Sequence, residues 1–175
     1  RRRVLMGENV RDSILDMLHT TLDSMIDTYA SAHAAASDWD LKALSNEVSD
    51  LLFVPRQTAF PETALEGLSH DALKKRVHAF ADDCYQKKEQ EITSEGGDMR
   101  EVERVVLLRT VDSHWMEHID AMDELKQGIG LRAYAQRDPV NAYTAEGFDM
   151  FDAMVEAIRE ETARTIFRVS VKKRP

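Results

Sequence analysis

The sequence predicts an all-α fold, and three observations carry that reading. Gly and Pro are sparse, seven and four in 175 residues, so the chain offers few natural breaks. Between those breaks the apolar residues recur every three to four positions. No window alternates apolar and polar residues for long enough to make a strand. The expected architecture is a long helix, a small helical insertion and an antiparallel two-helix hairpin.

The first helix is expected from about Val10 to Ala35. Leu15, Leu18, Leu22, Met25, Tyr29 and Ala32 form its stripe, with Ile14, Met17 and Thr21 beside them. The second opens at SDWD, residues 37–40, and stops before Pro55 and Pro61, whose rings cannot continue a helix. Ser69 is placed to cap a third, which finishes at Gly96-Gly97. Asp98, with Glu101 three residues on, resembles a capping box and starts the fourth. That helix is expected to reach about Gln127, on the order of 40 Å at 1.5 Å per residue, and to end at Gly128 and Gly130. Asp138-Pro139 begins the fifth, since Pro suits the first helical position and Asp accepts the orphan N–H groups. It is expected to run to about Val169.

The last two helices carry matching seams. Leu108, Val111, Trp115, His118, Met122, Leu125 and Ile129 are spaced alternately by three and four; so are Phe148, Phe151, Val155, Ile158, Thr162, Thr165 and Val169. Seams of that period joined by a short connection fold back as an antiparallel pair. Each large side chain buried there contributes roughly 1.5–3 kcal/mol. The same stretch holds His114, Glu117 and His118, an H-x-x-E-H pattern used as a zinc box in one class of peptidases. A zinc hydrolase needs a third ligand and a position open to water. His118 falls instead on the apolar stripe, so the reading preferred is a half-buried histidine bonded to a neighbouring acid.

The connection is unusual in composition. Lys126, Arg132 and Arg137 give it three positive charges and no acid, although the whole chain has a net charge of −9. Ile129, Leu131 and Tyr134 also lie there, where turns are normally polar. Large apolar side chains at an exposed end mark a contact; the alternative is that they fold back and plug the hairpin. Composition alone leaves both open.

Composition also excludes. The net negative charge argues against general nucleic-acid binding, which depends on neutralising phosphates. No apolar run approaches the roughly 20 residues of a membrane-spanning helix. Cys84 is the single cysteine, so an internal disulfide and a cysteine-rich metal cluster are both excluded. The exposed acids Asp82, Asp83, Glu89 and Glu91 read as a solvated face; Trp39, Phe53, Phe60 and Phe80 read as a small core. The cations Arg164, Arg168, Lys172, Lys173 and Arg174 read first as complements to a helix C-terminus. The start RRRVLMGENV and the finish VKKRP read as cuts within a longer protein.

The run DSHWMEHIDAMDELKQGIGLRAYAQRDPVNAYTAEGFDMF closely resembles the C-terminal helical region of the SecA preprotein translocase ATPases. The long helix after RRR, the YQKKEQEI segment and the FRVSV finish agree with it. The resemblance implies three parts: 1–36 as the first part of the helical scaffold, 37–97 as the helical wing, and 98–175 as the second part of the scaffold with the two-helix finger. In that family an ATP-driven motor, using Mg, moves secretory preproteins through the SecYEG channel, from the cytoplasm and at the periphery of the inner membrane. The finger touches the moving chain, and the scaffold restrains ATP hydrolysis. Carried over by position, the gripping residue is Tyr134, flanked by Ile129, Leu131, Arg132, Ala133, Ala135, Gln136 and Arg137. The structural seam is Trp115, His118, Met122, Phe148 and Phe151.

The departures from the family also matter. No G-x-x-x-x-G-K-[ST] phosphate loop is present, and the cysteine-rich zinc tail of many relatives is not in the sequence. The piece is therefore expected to have no catalytic residues, metal or cofactor of its own, the alternatives being the zinc hydrolase of His114, Glu117 and His118 or a purely structural coiled-coil adaptor. Its expected partners are the channel, preproteins, the parent's nucleotide-binding domains and an anionic membrane surface, to which each basic tip residue would add roughly 1 kcal/mol. Whether the parent acts as a homodimer is left open.

Overall fold

The computed structural model describes residues 7, 9–132 and 138–172, with the backbone alone at 131, 132 and 139. Five α-helices occupy most of this span: α1 (Arg11–Tyr29), α2 (Leu41–Leu52), α3 (His70–Ser94), α4 (Met99–Arg132) and α5 (Pro139–Ile166). Among the described residues the only β-type pairing is an isolated bridge between Arg56 and Phe60. The all-α expectation holds.

Helix starts follow the sequence closely. Asp40, Ser69 and Asp138 cap α2, α3 and α5 by accepting the backbone N–H groups of Ala43, Ala72 and Asn141. Asp98 accepts the Arg100 N–H at 2.9 Å. Glu101 leaves the expected capping box unclosed and pairs with Arg104 at 2.7 Å instead.

Helix ends diverge more. α1 stops at Tyr29 rather than near Ala35. The Trp39 indole donates to the Ser31 carbonyl at 2.9 Å and the Asp40 N–H to Tyr29 at 2.9 Å, pulling the chain into a loop with a 3-10 turn at Ala36–Asp38. The expected ends at Gly128 and Gly130 are corrected too. α4 runs through both to Arg132, 34 residues and about 51 Å at 1.5 Å per residue. A glycine inside a helix costs only about 1 kcal/mol, which is too little to stop one already propagating. At the end of α3, in contrast, Gly96 takes φ +85° and a Schellman closure forms: Gly97 N–H to Ile92 and Gly96 N–H to Thr93.

Buried side chains from all five helices form one core. Ile14, Leu18, Leu22 and Ile26 of α1 lie against Leu44, Val48 and Leu51 of α2, Leu73 and Val77 of α3, Val106 and Leu107 of α4, and Ala163 and Ile166 of α5. Phe60 joins them, stacked on Phe80 at 4.4 Å with the Arg76 guanidinium over its ring. Phe53 does not. It sits 67% exposed in the left-handed region at the end of α2, where its ring takes the Arg168 guanidinium at 4.8 Å. Of the acids expected on a solvated face, Asp82, Asp83 and Glu91 are exposed and Glu89 half-buried, and each also holds a partner. Asp82 meets His19 at 2.6 Å, and Asp23 meets His78 at 2.7 Å with the two rings stacked, so two crossed pairs join α1 to α3. Asp83 pairs with Lys87, Glu91 with Lys88 and Glu89 with Arg100.

Candidate functional site: the α4–α5 hairpin

α5 packs antiparallel on α4, and its C-terminal half also covers α1. Thr110 and Ile158 are the last buried residues on the way out; none of the described residues between 111 and 157 is buried. The distal part of the hairpin therefore stands away from the core, with each helix as the other's neighbour.

That geometry redraws the seam. On α4, His114, His118, Met122, Leu125 and Ile129 are half-buried, as are Tyr143, Gly147, Met150 and Met154 on α5. Gly147 lets the helices approach, since a Cβ there would lie 3.2 Å from Met122 Cε. Three residues expected on the seam are corrected. Phe148 is 67% exposed, Trp115 48% and Phe151 43%. In a two-helix rod only a narrow stripe is covered, so bulky side chains one position off it remain in water. Two of them are linked: His118 lies between Trp115, at 5.6 Å, and Phe151, edge-on at 5.9 Å. Met116 and Ile119 extend the same exposed apolar side of α4.

His114 is bonded through Nε2 to Glu161 on α5, the role of a histidine paired with a neighbouring acid. Glu117 is exposed and His118 turns to the aromatic rings. Among the described residues no three His, Cys, Asp or Glu side chains converge as a metal site. The donor set of H-x-x-E-H does not fit a zinc ion here, and the hydrolase alternative has no support.

The charge on the hairpin is one-sided. Residues 112–125 and 138–158 carry ten acidic side chains and no Lys or Arg. No described helix is long and apolar enough to cross a membrane.

Residues 1–170 match the family described as the SecA Wing and Scaffold domain. The chain belongs to the SecA wing and scaffold family. Its relatives include protein translocase subunit SecA of Caldicellulosiruptor saccharolyticus, 44% identical over the whole chain, and that of Clostridium acetobutylicum, 42% identical over the same span. SecA of Alkaliphilus oremlandii is 43% identical over 97% of the chain. The chain spans about one fifth of the length of these relatives, 20%, 20% and 18% respectively.

Of the tip residues expected from the SecA resemblance, Ile129 is half-buried on α4, and Leu131 and Arg132 are the backbone of its last turn. Ala133, Tyr134, Ala135, Gln136 and Arg137 lie outside the described residues, as do Lys173 and Arg174. Sequence reasoning missed Gly147 and the acidic bias of the hairpin. Both signals were there to find: a glycine inside an apolar seam, and a tally of charge along it.

Proposed function

We propose that this chain is the scaffold, wing and two-helix-finger module of a SecA translocase, divided as 1–36, 37–97 and 98–175. It couples the parent's ATP- and Mg-dependent motor to the SecYEG channel, contacts the translocating preprotein through 129–137, and restrains ATP hydrolysis. It performs no chemistry itself and works at the cytoplasmic face of the membrane. The observation that carries the reading is the hairpin leaving the core with no buried residue among those described over its distal part, in a chain of this family.

Physical reasoning supports the division of labour. A preprotein of arbitrary sequence cannot be held by a shaped pocket, so the grip must be generic, and Tyr offers a flat apolar ring with a hydroxyl and few rotors. Two packed helices transmit displacement that a loop would absorb. The exposed Trp115, Phe148 and Phe151, set among acids, suit contact with apolar and basic surfaces of the parent and the channel.

The test is a cysteine at Tyr134 in the full-length parent, cross-linked during translocation. Adduct to preprotein well above that from a cysteine at exposed Glu124 supports the tip contact; equal labelling refutes it. The restraint is tested separately by Trp115→Ala in the parent, which is expected to raise basal ATP hydrolysis. Unchanged hydrolysis in a folded variant rejects it.

A further inference from the structure

Both legs of the hairpin are held at their root by polar contacts with α2 and α3. On the α4 side, Glu103 is fully buried. Its Oε2 accepts the hydroxyl of buried Tyr85 from α3, and its Oε1 lies 3.0 Å from Arg100 Nε. The same Arg100 reaches Glu89 on α3 through Nη2. On the α5 side, Arg168 donates from Nη1 to Leu51 O at 3.1 Å and to Arg164 O at 2.7 Å, and from Nη2 to Asp50 O. It thereby satisfies orphan carbonyls at the end of α2 while stacking over Phe53. Tyr85 also meets Phe167 edge-on at 6.0 Å, so a single α3 side chain touches both legs.

We propose that Glu103 and Arg168 are positioning residues, through which α2 and α3 grip the two legs of the hairpin and fix the direction in which it points. Apolar contacts tolerate a small slide or rotation of one helix on another; these do not. Moving α4 by one residue would take the Tyr85 hydroxyl from a buried carboxylate and part Arg100, which travels with it on α4, from Glu89 on α3. Swinging α5 would take the Arg168 donor from the Leu51 carbonyl and leave Asp50 O with the Phe53 N–H alone. The leverage is large. From Glu103 to Arg132 the helix extends about 44 Å, so a rotation of roughly 5° at the root moves its far end by about 4 Å. This inference concerns what aims the hairpin and does not rest on the SecA role proposed above.

The experiment is a distance measurement between spin labels on Lys75→Cys in α3 and Glu124→Cys in the distal half of α4, in a Cys84→Ala background. A second label pair, Glu124→Cys with Asp149→Cys, reports the hairpin itself. In Glu103→Gln and in Arg168→Gln the first distribution is expected to broaden to about twice its width, while the second and the far-UV circular dichroism stay unchanged. Tyr85→Phe keeps the ring contact with Phe167, removes the hydroxyl, and is expected to broaden it as well. Should Glu103→Gln fail to fold, Tyr85→Phe and Arg168→Gln decide. Superimposable distributions in folded variants, or a lowered urea midpoint with no broadening, would overturn the proposal.

Discussion

Alanine at two glycines should act in opposite directions, because the two glycines are there for different reasons. A Cβ at Gly128 would meet nothing within 4 Å, and the residue lies inside α4 with no positive φ. Replacing it removes only the helix penalty of glycine, so Gly128→Ala is expected to stabilise α4 by about 0.5–1 kcal/mol. A Cβ at Gly97 would lie 2.8 Å from both Ile92 Cγ2 and Val171 Cγ2, and 3.1 Å from the Ile92 carbonyl oxygen. Overpacking of that kind costs about 1–3 kcal/mol, against about 0.4–1 kcal/mol gained from a stiffer unfolded chain. The clash wins. Gly97→Ala should lose about 0.5–2 kcal/mol, and adding Val171→Ala should recover part of that loss, a coupling of at least about 0.5 kcal/mol. Urea unfolding reads the Gly97 series. Amide exchange along residues 118–132 reads Gly128, since the distal hairpin opens locally before the core does. Faster exchange in Gly128→Ala would mean that the chain leaves the helix there, as the sequence suggested. Absence of coupling between 97 and 171 would mean that the C-terminal segment does not cross the α3–α4 turn.

The remaining predictions address the core, a buried acid, a cap and the hairpin face. Phe60→Ala should cost about 3–5 kcal/mol by urea unfolding, since the ring is fully buried and stacked on Phe80. Burial holds the Glu103 carboxyl above its ordinary range, against the opposing pull of the Tyr85 hydrogen bond and the Arg100 charge. The folded state thus keeps this proton more firmly than the unfolded chain, and the stability gained below the ordinary carboxyl range is lost as pH rises through the folded value. Glu103→Gln should remove that slope, seen as a smaller change in urea midpoint across the acidic range. Asp138→Ala should cost about 1 kcal/mol, read as faster exchange of the first turn of α5. Trp115→Ala should cost about 1–2 kcal/mol in urea unfolding, below the 3–5 kcal/mol of a buried aromatic, because half its surface is already in water.

Local chemistry determined much of this protein in the sequence itself. Asp40, Ser69, Asp98 and Asp138 announce the starts of four helices because capping involves only a side chain and the backbone a few residues on. The two matching seams announce the hairpin for a similar reason: their period is a property of the helix, whatever it packs against. The residues that carry the SecA resemblance lie on that same hairpin.

Tertiary structure alone decided the rest. Whether Trp115 or Phe148 lies on the seam depends on the rotation of one helix against the other, and a side chain one position off the stripe reads the same in sequence. α1 ends early because Trp39 and Asp40 bond back to its last turn. Arg168 looked like the cation of its own helix end, yet it also serves the end of α2, across 117 residues of chain. Glu103 gives no sequence sign that its charge is enclosed by Tyr85 and Arg100. Contacts of that range depend on where whole helices come to rest, and no local period or propensity encodes it.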